Sequence, residues 1–432
     1  MPNKPTLSRL QCIAYGMMGL PLGFAGLPIY IHAPKFYVDQ FGISLGLVGV
    51  ALLISRMLDT IPDPFIGVWS DRKSSHGVSR YRIITLAIPV MALPFFLLFN
   101  PHYAPKDWVI VWFTFTMIAV YIAGSFICIN YYSLNAEYTE DYHQKNAISA
   151  WREGFALIGV VIAAAVPQFL TNRYDEVTAY FYLSVTFVVL IIVLPMIALR
   201  ILPEPALKAK KPEHQTISQM IKVVSGDKLF LILLLTFLIN NLANAIPATL
   251  VLFFIDDVLQ EKAFGGNFLA IYFLAGVAAM PIWLRISRHI GKKNSAVLSM
   301  VLAMVWFIWC FLLGVHDKWQ YFAICILTGL SVGSDVALYP SMLADVIQKR
   351  SRELKKAPNS GSYFGIWNLS SKLALALAGG ITLPLLAWAG YKPGVVSPNS
   401  VYYLSFTYGI VPCVFKAVAA YTLWRSPIDQ ER

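Results

Sequence analysis

The sequence predicts an all-α integral membrane protein with twelve transmembrane helices. Of its 432 residues, 57% are hydrophobic and only 13% are charged, which is about half the charged fraction of an average soluble protein. Apolar runs of about 20 residues, each long enough to cross the hydrocarbon core of a bilayer, recur along the whole chain. The predicted spans cover residues 10–34, 44–68, 83–100, 108–134, 148–170, 179–201, 229–255, 268–286, 296–315, 320–343, 363–388 and 401–424.

The distribution of basic residues predicts the orientation of these spans. An even number of spans places both termini on the same side of the membrane. If that side is the cytoplasm, about 25 of the 34 Lys and Arg residues are cytoplasmic and about six are external, as the positive-inside rule requires. The net charge of +11 therefore reflects topology, and we expect no nucleic-acid partner. We expect a monomer in contact with the lipids of a cell membrane, such as the bacterial inner membrane.

A long connector at 202–228 divides the predicted spans into two six-helix bundles, residues 1–201 and 229–432. Two bundles joined in this way are typical of transporters built from internal repeats. Inside the connector, Thr216 is a candidate N-cap and is followed by apolar residues at helical spacing. We expect a short amphipathic helix there, lying on the cytoplasmic surface of the membrane. A second long connector is predicted at 344–362.

Two aspartates and an arginine stand inside the second predicted span, in the stretch RMLDTIPDPFIGVWSDR. Asp59 and Asp63 lie one helical turn apart, about 6 Å along the axis, and Arg56 shares their face. An ionised carboxylate in hydrocarbon costs about 2.5–3.5 kcal/mol, and two carboxylates so close repel each other strongly. Arg56 neutralises at most one of them, so the group requires a proton or another cation.

The backbone of the same stretch adds oxygen ligands. Pro62 and Pro64 have no amide hydrogen, so two carbonyl oxygens are left without helical partners. Carboxylate and carbonyl oxygens are the ligands that hard cations prefer. The residues predicted to form a monovalent-cation site are Arg56, Asp59, Thr60 and Asp63. The alternative is a buried structural network in which Arg56 holds the helix to its neighbours.

This stretch also resembles a family signature. The pattern Arg-x-x-Asp-x-x-x-Asp-Pro followed by Gly-x-x-x-Asp-Arg is similar to that of the glycoside–pentoside–hexuronide:cation symporters, the melibiose-permease family of the major facilitator superfamily. The matching residues are Arg56, Asp59, Asp63, Pro64, Gly67, Asp71 and Arg72. The segments YYSLNAEYTEDYHQKNAISAWREGFALIG, LYPSMLADVI and YFGIWNLSSKLALALAGG extend the resemblance. It implies the major facilitator fold and cation-coupled symport of a small molecule. Asp59 and Asp63 are implied to bind the coupling cation, Na⁺ or H⁺, and no other cofactor is implied.

Three positions depart from the melibiose permeases. Gly23 and Cys128 stand where that family has sugar-contacting aspartates, whereas its arginine of helix 5 and lysine of helix 11 are kept as Arg152 and Lys372. Pro62 replaces an asparagine of the cation site, which leaves Na⁺ and H⁺ as alternatives. The resemblance implies a sugar, a sugar acid or a related small organic solute as substrate, and the two retained bases favour an anionic one. Loss of the sugar-facing acids also fits a lysophospholipid or another amphiphile, which is the alternative substrate class.

Polar residues inside other spans are candidates for substrate contacts, because ionisable side chains in hydrocarbon are usually functional. The candidates are Asn130, Tyr131, Arg152, Glu153, Asn241, Asn244, Asp335, Trp367 and Lys372. For the asparagines and the tyrosine, the alternative is packing between helices. We expect Asp335 to pair with Lys372, and Lys416 to extend its ammonium towards the cytoplasm. The predicted gating residues, at the cytoplasmic end of the second span, are Gly67, Asp71 and Arg72.

Four glycines lie on one face of the first predicted span, namely Gly16, Gly19, Gly23 and Gly26. This spacing predicts close packing against another helix, and the alternative is that the bare face lines a central pathway.

Motifs of other membrane-protein classes are missing from the sequence. It contains no H-E-x-x-H zinc motif and no G-x-x-x-x-G-K-[ST] phosphate loop, which mark metalloproteases and ATP-driven pumps. The sequence therefore predicts a transporter rather than an enzyme.

Overall fold

The computed structural model describes residues 7–103, 105–139, 142–203, 224–354, 360–395 and 397–428, and the regular structure in these ranges is helical. Twelve helices in these ranges are long and apolar enough to cross a membrane, which confirms the twelve predicted spans. We number them α1 Arg9–Phe41, α2 Leu45–Ser74, α3 Arg80–Leu98, α4 Val109–Tyr138, α5 Tyr142–Thr171, α6 Glu176–Ile201, α7 Lys228–Leu259, α8 Lys262–Ile290, α9 Lys292–Leu312, α10 Lys318–Leu354, α11 Ser360–Trp388 and α12 Pro398–Arg425.

The chain forms two compact units. The first contains Met1–Phe41 and Ile54–His214, and the second contains Gly42–Leu53 and Gln215–Arg432. The first part of α2 therefore groups with the helices of the second unit. Most of the connector predicted at 202–228, including the start of its amphipathic helix at Thr216, lies outside the described residues.

Helix α2 is interrupted in the middle of the predicted cation site. One α-helical segment runs from Leu45 to Thr60 and the next from Asp63 to Ser75, with a turn at residues 61–62. Pro62 and the following proline cannot donate the amide hydrogen bonds that would continue the first segment. The break places Asp59 near the end of one segment and Asp63 at the beginning of the next.

Three other helices contain π-helical turns, at Pro28–His32 in α1, Ile255–Leu259 in α7 and Phe406–Ile410 in α12. The turn in α1 begins at Pro28, and the turn in α12 ends two residues before Pro412. A proline has no amide hydrogen, so it interrupts the regular series of helical hydrogen bonds. These turns change the direction of side chains within otherwise continuous spans.

In the first unit, α1 packs directly on the backbone of α5 at three of the four predicted glycines. A Cβ atom at Gly16 would lie 2.9 Å from the carbonyl oxygen of Trp151, and one at Gly23 would lie 2.1 Å from that of Ala156. Gly19 makes the same kind of approach. The predicted close packing is confirmed at these positions. A Cβ atom at Gly26 would have no neighbour within 4 Å in the described part of the chain, so this glycine takes no part in the contact.

The second unit has an equivalent close contact between α8 and α10. A Cβ atom at Gly329 would lie 2.4 Å from the carbonyl oxygen of Tyr272, and one at Gly333 would lie 2.5 Å from that of Gly276. With Ser331 between them, these glycines match the spacing of the G-x-S-x-G nucleophile elbow, which requires a strand-to-helix turn. Here the pentapeptide lies within the continuous helix α10, so its glycines serve helix packing.

Helix α10 corrects one predicted boundary. It continues to Leu354, so much of the connector predicted at 344–362 is helical. The segment ADVIQKRSREL is too polar for hydrocarbon, but its Gln, Lys, Arg, Glu and Leu residues favour helix. The helix therefore extends beyond the apolar part of the span, and residues 355–359 lie outside the described residues.

Candidate functional site

The two aspartates of α2 have different surroundings. Asp59 is only 2% exposed and accepts a hydrogen bond of 3.0 Å from the hydroxyl of Ser125 on α4. Asp63 is half-buried at the first position of the next helical segment. The hydroxyl of Thr60 donates to the carbonyl oxygen of Arg56 at 3.0 Å, which leaves its lone pairs available to another ligand. The structure therefore places a neutral hydroxyl against the most buried carboxylate.

Arg56 directs its guanidinium towards aromatic rings. The guanidinium carbon lies 4.0 Å from the centre of the Tyr121 ring and 5.7 Å from that of Tyr30, distances at which a cation is attracted to an aromatic face. Among the described residues, its buried Nε atom has no hydrogen-bond partner. The rings of α1 and α4 thus hold the positive charge beside the aspartates.

This arrangement offers oxygen ligands to a small cation. Carboxylates of Asp59 and Asp63 and the hydroxyls of Ser125 and Thr60 belong to one region of the first unit, and all are hard donors. Ser125 was missed at the sequence level because a lone serine in an apolar span has no pattern that distinguishes it from a packing residue.

A buried arginine organises the end of α2 that is predicted to be cytoplasmic. Arg80, at the start of α3, is 4% exposed. Its guanidinium donates to Asp71 at 2.6 Å, to Glu137 at 2.5 Å, to Ser70 at 2.9 Å and to Asn130 at 3.3 Å. Ser70 also donates to Asn130. We call these five residues the Arg80 cluster; it links α2, α3 and α4.

The Arg80 cluster changes the interpretation of several predicted residues. Asn130, a predicted substrate ligand, is completely buried and its side-chain oxygen is used inside the cluster. Asp71, a predicted gating residue, is held by Arg80, whereas Arg72 is exposed. A Cβ atom at Gly67 would meet none of the described residues within 4 Å, so this glycine is not required for packing. Arg80 lies at a helix end that is predicted to be cytoplasmic, and its local sequence does not indicate its distant partners.

Two further candidates of the first unit lie on α4 and α5. Tyr131 is fully buried and exchanges hydrogen bonds with Tyr15, each hydroxyl donating to the carbonyl oxygen of the other residue at 2.6 and 2.7 Å. Arg152 pairs with Glu153 at 2.7 Å and lies 4.2 Å from the ring centre of Tyr132. Glu153 keeps 60% of its side chain exposed. The polar pair is therefore accessible to a solute, whereas Tyr131 holds α1 against α4.

In the second unit, two candidates contact the same phenylalanine. Trp367 is stacked on Phe237 with ring centres 3.7 Å apart and belongs to the hydrophobic core. Asn241 donates to the carbonyl oxygen of Phe237 at 3.0 Å. Lys372, further along α11, is half-buried.

The remaining two candidates meet a lysine that was expected elsewhere. Asn244 donates to Asp335 at 2.8 Å, and the ammonium of Lys416 donates to the side-chain oxygen of Asn244 at 2.6 Å and lies 3.8 Å from Asp335. The expected partner Lys372 was wrong, and so was the expectation that Lys416 reaches the cytoplasm, since Lys416 is 9% exposed. Packing of α12 against α7 brings Lys416 inside the unit.

The described residues form twelve apolar helices with charged groups buried inside them, which is typical of a polytopic membrane transporter. The chain belongs to the family described as MFS/sugar transport protein, whose model matches residues 12–430. This confirms the resemblance to the cation symporters of that superfamily and places the protein in a cell membrane as a multi-pass chain.

Comparisons with individual proteins agree. The chain is 23% identical over 412 residues to "Uncharacterized symporter YjmB" of Bacillus subtilis (strain 168), covering 91% of this chain and 86% of that one. It is 22% identical over 439 residues to "Glucuronide carrier protein homolog" of Escherichia coli (strain K12), covering 99% and 94%. Its fold is similar to the crystal structure of the nucleoside transporter NupG (D323A mutant), with a TM-score of 0.69, 12% identity and coverage of 96% and 98%.

Proposed function

We propose that the protein is a secondary active symporter that couples the movement of a sugar, a sugar acid or a related small solute to one monovalent cation, Na⁺ or H⁺, bound at Asp59 and Asp63. The observation that carries the proposal is that the break in α2 brings together two aspartates, one of them buried, and a single arginine. Two carboxylates and one guanidinium require a further positive ion when both acids are ionised, and a mobile one is what a symporter uses.

The charges of the region support a single cation. Arg56 contributes one positive charge and the two aspartates contribute two negative charges, so one monovalent cation makes the group neutral. The proposed ligands are the carboxylates of Asp59 and Asp63, with oxygens of Thr60 and Ser125. A cation bound there ties both segments of α2 to α4. Its binding free energy then favours the conformation in which these segments are held together.

The substrate is proposed to be a sugar or a sugar acid. Arg152 and Lys372 are the basic residues that the resemblance to the symporter family keeps, and a basic side chain favours a substrate that carries a carboxylate. The relative named as a glucuronide carrier homolog is consistent with this class. Asn130 and Tyr131 are assigned to packing because their polar atoms are used within the first unit. Asp71, held by Arg80, is proposed to control gating together with Gly67 and Arg72.

The protein is proposed to act as a monomer surrounded by lipid. Large exposed aromatic side chains stand at helix ends that are predicted to be external: Trp108, Trp319 and Trp388 are 61%, 70% and 88% exposed. Tryptophan prefers the interface between hydrocarbon and water, so these residues are suited to anchor α4, α10 and α11 in the bilayer.

The test is solute accumulation in proteoliposomes under an imposed gradient of Na⁺ or of H⁺, with sugars, sugar acids and lysophospholipids as substrates. Asp59→Asn is expected to lower gradient-driven accumulation of solute about a hundredfold, because removing a buried charged ligand costs several kcal/mol. Solute exchange without a gradient is expected to survive. Asp107→Asn, an exposed acid at the start of α4, is the matched control.

The outcomes separate the alternatives. Accumulation of a lysolipid and of no sugar would assign the amphiphile class. If neither gradient drives any solute, or if Asp59→Asn and Asp63→Asn both accumulate solute like the wild type, the proposed coupling is wrong.

A further inference from the structure

The second unit contains a buried charged group that the proposed symport does not use. Asp335 on α10, Asn244 on α7 and Lys416 on α12 are joined by hydrogen bonds of 2.8 Å and 2.6 Å through the asparagine. The ammonium of Lys416 lies 3.8 Å from the carboxylate of Asp335, and both side chains are largely buried, with 11% and 15% exposed. The orientation of the Asn244 amide is fixed, because its oxygen accepts from the lysine and its nitrogen donates to the aspartate.

A small cavity with a largely apolar lining adjoins this group. It has a volume of about 40 Å³ and its lining includes Asn244 and Lys416 with Tyr272, Thr328 and Ser331. A cavity of this size holds about two or three water molecules. The hydroxyl of Thr328 donates to its own helix at 2.7 Å, so its lone pairs remain for a ligand in the cavity.

One proline beside the cavity leaves a backbone carbonyl oxygen of α7 without its usual helical partner. Pro247 and Ala243 both line the cavity. Because Pro247 has no amide hydrogen, the carbonyl oxygen of Ala243, four residues earlier, has no helical partner from that position. The amide oxygen of Asn244 and the carboxylate of Asp335 lie beside the ammonium of Lys416, and oxygens of these kinds are ligands of a hard monovalent cation.

We propose that the ammonium of Lys416 is the resident cation of this second oxygen-lined site. It neutralises Asp335 permanently, as a mobile Na⁺ or H⁺ is proposed to neutralise the aspartates of α2. The consequence is that the second unit takes up no mobile cation during transport. This consequence rests on the proposed function, whereas the assignment of Lys416 does not.

The experiment measures cations bound to the purified full-length protein, with radioactive Na⁺ at pH 8.5 and with proton uptake in unbuffered solution. Na⁺ binding and proton uptake are both measured on two proteins: the parent Asp59→Asn, and a double variant that adds Lys416→Met to it. Without its lysine, Asp335 becomes a buried carboxylate with no counter-ion, and a mobile cation is required. We expect the double variant to bind one additional cation, as Na⁺ or as a proton, relative to its parent.

Two control variants define the cause of the gain. Lys416→Arg keeps a fixed positive charge and is expected to bind no additional cation. Adding Asp335→Asn to Lys416→Met removes the negative charge and is expected to cancel the gain. If the Lys416→Met variant binds neither Na⁺ nor protons beyond its parent, the proposal is overturned.

A second variant covers the case in which Lys416→Met does not fold. Lys416→Gln on the Asp59→Asn background also removes the positive charge but keeps a polar group beside Asn244, so it is expected to bind one additional cation relative to that parent. An unchanged count of bound Na⁺ and protons would overturn the proposal. Changes in the number of bound cations are measured against a parent that lacks Asp59. Residual Na⁺ binding by that parent would contradict the proposed symport site and would leave the Lys416 assignment unaffected.

Discussion

The two units contain buried aspartates with contrasting partners. In the first unit, Asp59 has a serine hydroxyl as a hydrogen-bond donor, and the nearby arginine is held over tyrosine rings. In the second unit, Asp335 has an asparagine amide and a lysine ammonium 3.8 Å away. The second unit places one ammonium beside one carboxylate, whereas the first has one guanidinium for two carboxylates and carries a net negative charge when both are ionised. The difference teaches that burial of an acid does not by itself identify a transport site; the net charge of its group does.

A second contrast concerns the helix ends predicted to be cytoplasmic. Arg80–Glu137 joins the start of α3 to the end of α4, and Lys292–Asp345 joins the start of α9 to the last part of α10, which are the corresponding helices of the two halves. The first pair is buried in a cluster of five residues, with side chains 3% and 11% exposed. The second is an isolated pair with side chains 31% and 50% exposed. From this difference in burial we expect the first pair to contribute more to stability than the second.

The largest expected effect tests this contrast at the helix ends. Arg80→Met leaves the carboxylates of Glu137 and Asp71 and the buried amide of Asn130 without their shared donor. We expect a loss of about 3–5 kcal/mol in stability, as for other buried pairs that lose one partner. Lys292→Met removes an exposed pair and is expected to cost about 1 kcal/mol or less. Thermal unfolding of the purified proteins in detergent, followed by intrinsic fluorescence, measures both.

Arg80→Lys sharpens the comparison, because a lysine keeps the charge but cannot donate hydrogen bonds to as many partners as a guanidinium does. Its stability is expected to fall between those of the wild type and Arg80→Met. Equal losses for Arg80→Met and Lys292→Met would show that burial does not separate the two pairs.

The next effect concerns cation affinity and compares hydroxyls in the two units. Ser125→Ala removes a hydrogen bond to a charged carboxylate, worth about 1.5–3 kcal/mol, and one proposed cation ligand. We expect the cation concentration for half-maximal uptake to rise at least tenfold, since each 1.4 kcal/mol is about tenfold. Thr328→Ala, beside the fixed ammonium of Lys416, is expected to leave it unchanged.

Ser133→Ala is the matched control on the same helix, because the Ser133 hydroxyl bonds to the carbonyl oxygen of Ile129 at 2.8 Å. A rise in the cation requirement after Thr328→Ala, as large as after Ser125→Ala, would mean that the second unit also receives the mobile cation.

Much of the fold follows from short-range patterns. Apolar runs of about 20 residues give the twelve spans because the bilayer fixes their length. The spacing of Asp59 and Asp63, with prolines beside them, indicates the break in α2. Glycines at i, i+3 and i+7 give the contact of α1, although only the structure shows that Gly26 lies beyond it.

The partners of buried charges were harder to predict, because they depend on which helices pack together. Two lysines, in the last two spans, were available to Asp335, and the sequence does not show that α12 rather than α11 presents its lysine there. Arg80 has the same sequence context as an exposed basic residue after a turn, and its partner Glu137 lies at the far end of another helix. Ser125 carries no pattern at all. Each of these contacts is made between two helices, so no short stretch of the sequence contains both partners.

The smallest expected effect compares the two aspartates that begin α6 and α7. Asp175 is exposed and accepts a hydrogen bond of 3.1 Å from the backbone amide of Thr178. Asp227 is buried, accepts one of 3.1 Å from the amide of Phe230 and another of 3.1 Å from the hydroxyl of Tyr363. Asp227→Ala is expected to cost about 1–2 kcal/mol, as loss of a strong helix cap does. Asp175→Ala is expected to lower the melting temperature by less, because water replaces its cap.

The pH dependence of the Asp175 effect has a defined sign. The backbone hydrogen bond from Thr178 lowers the pKa of Asp175 below its usual value, so the folded protein favours the ionised form more than the unfolded chain does. The stabilisation is complete above the unfolded pKa of about 3.9 and is lost as the pH falls through the lower folded value. The difference in melting temperature between wild type and Asp175→Ala should therefore be constant from pH 7 to 5 and shrink below about pH 4. A difference that grows on acidification would contradict the assignment of the ionised carboxylate as the cap of α6.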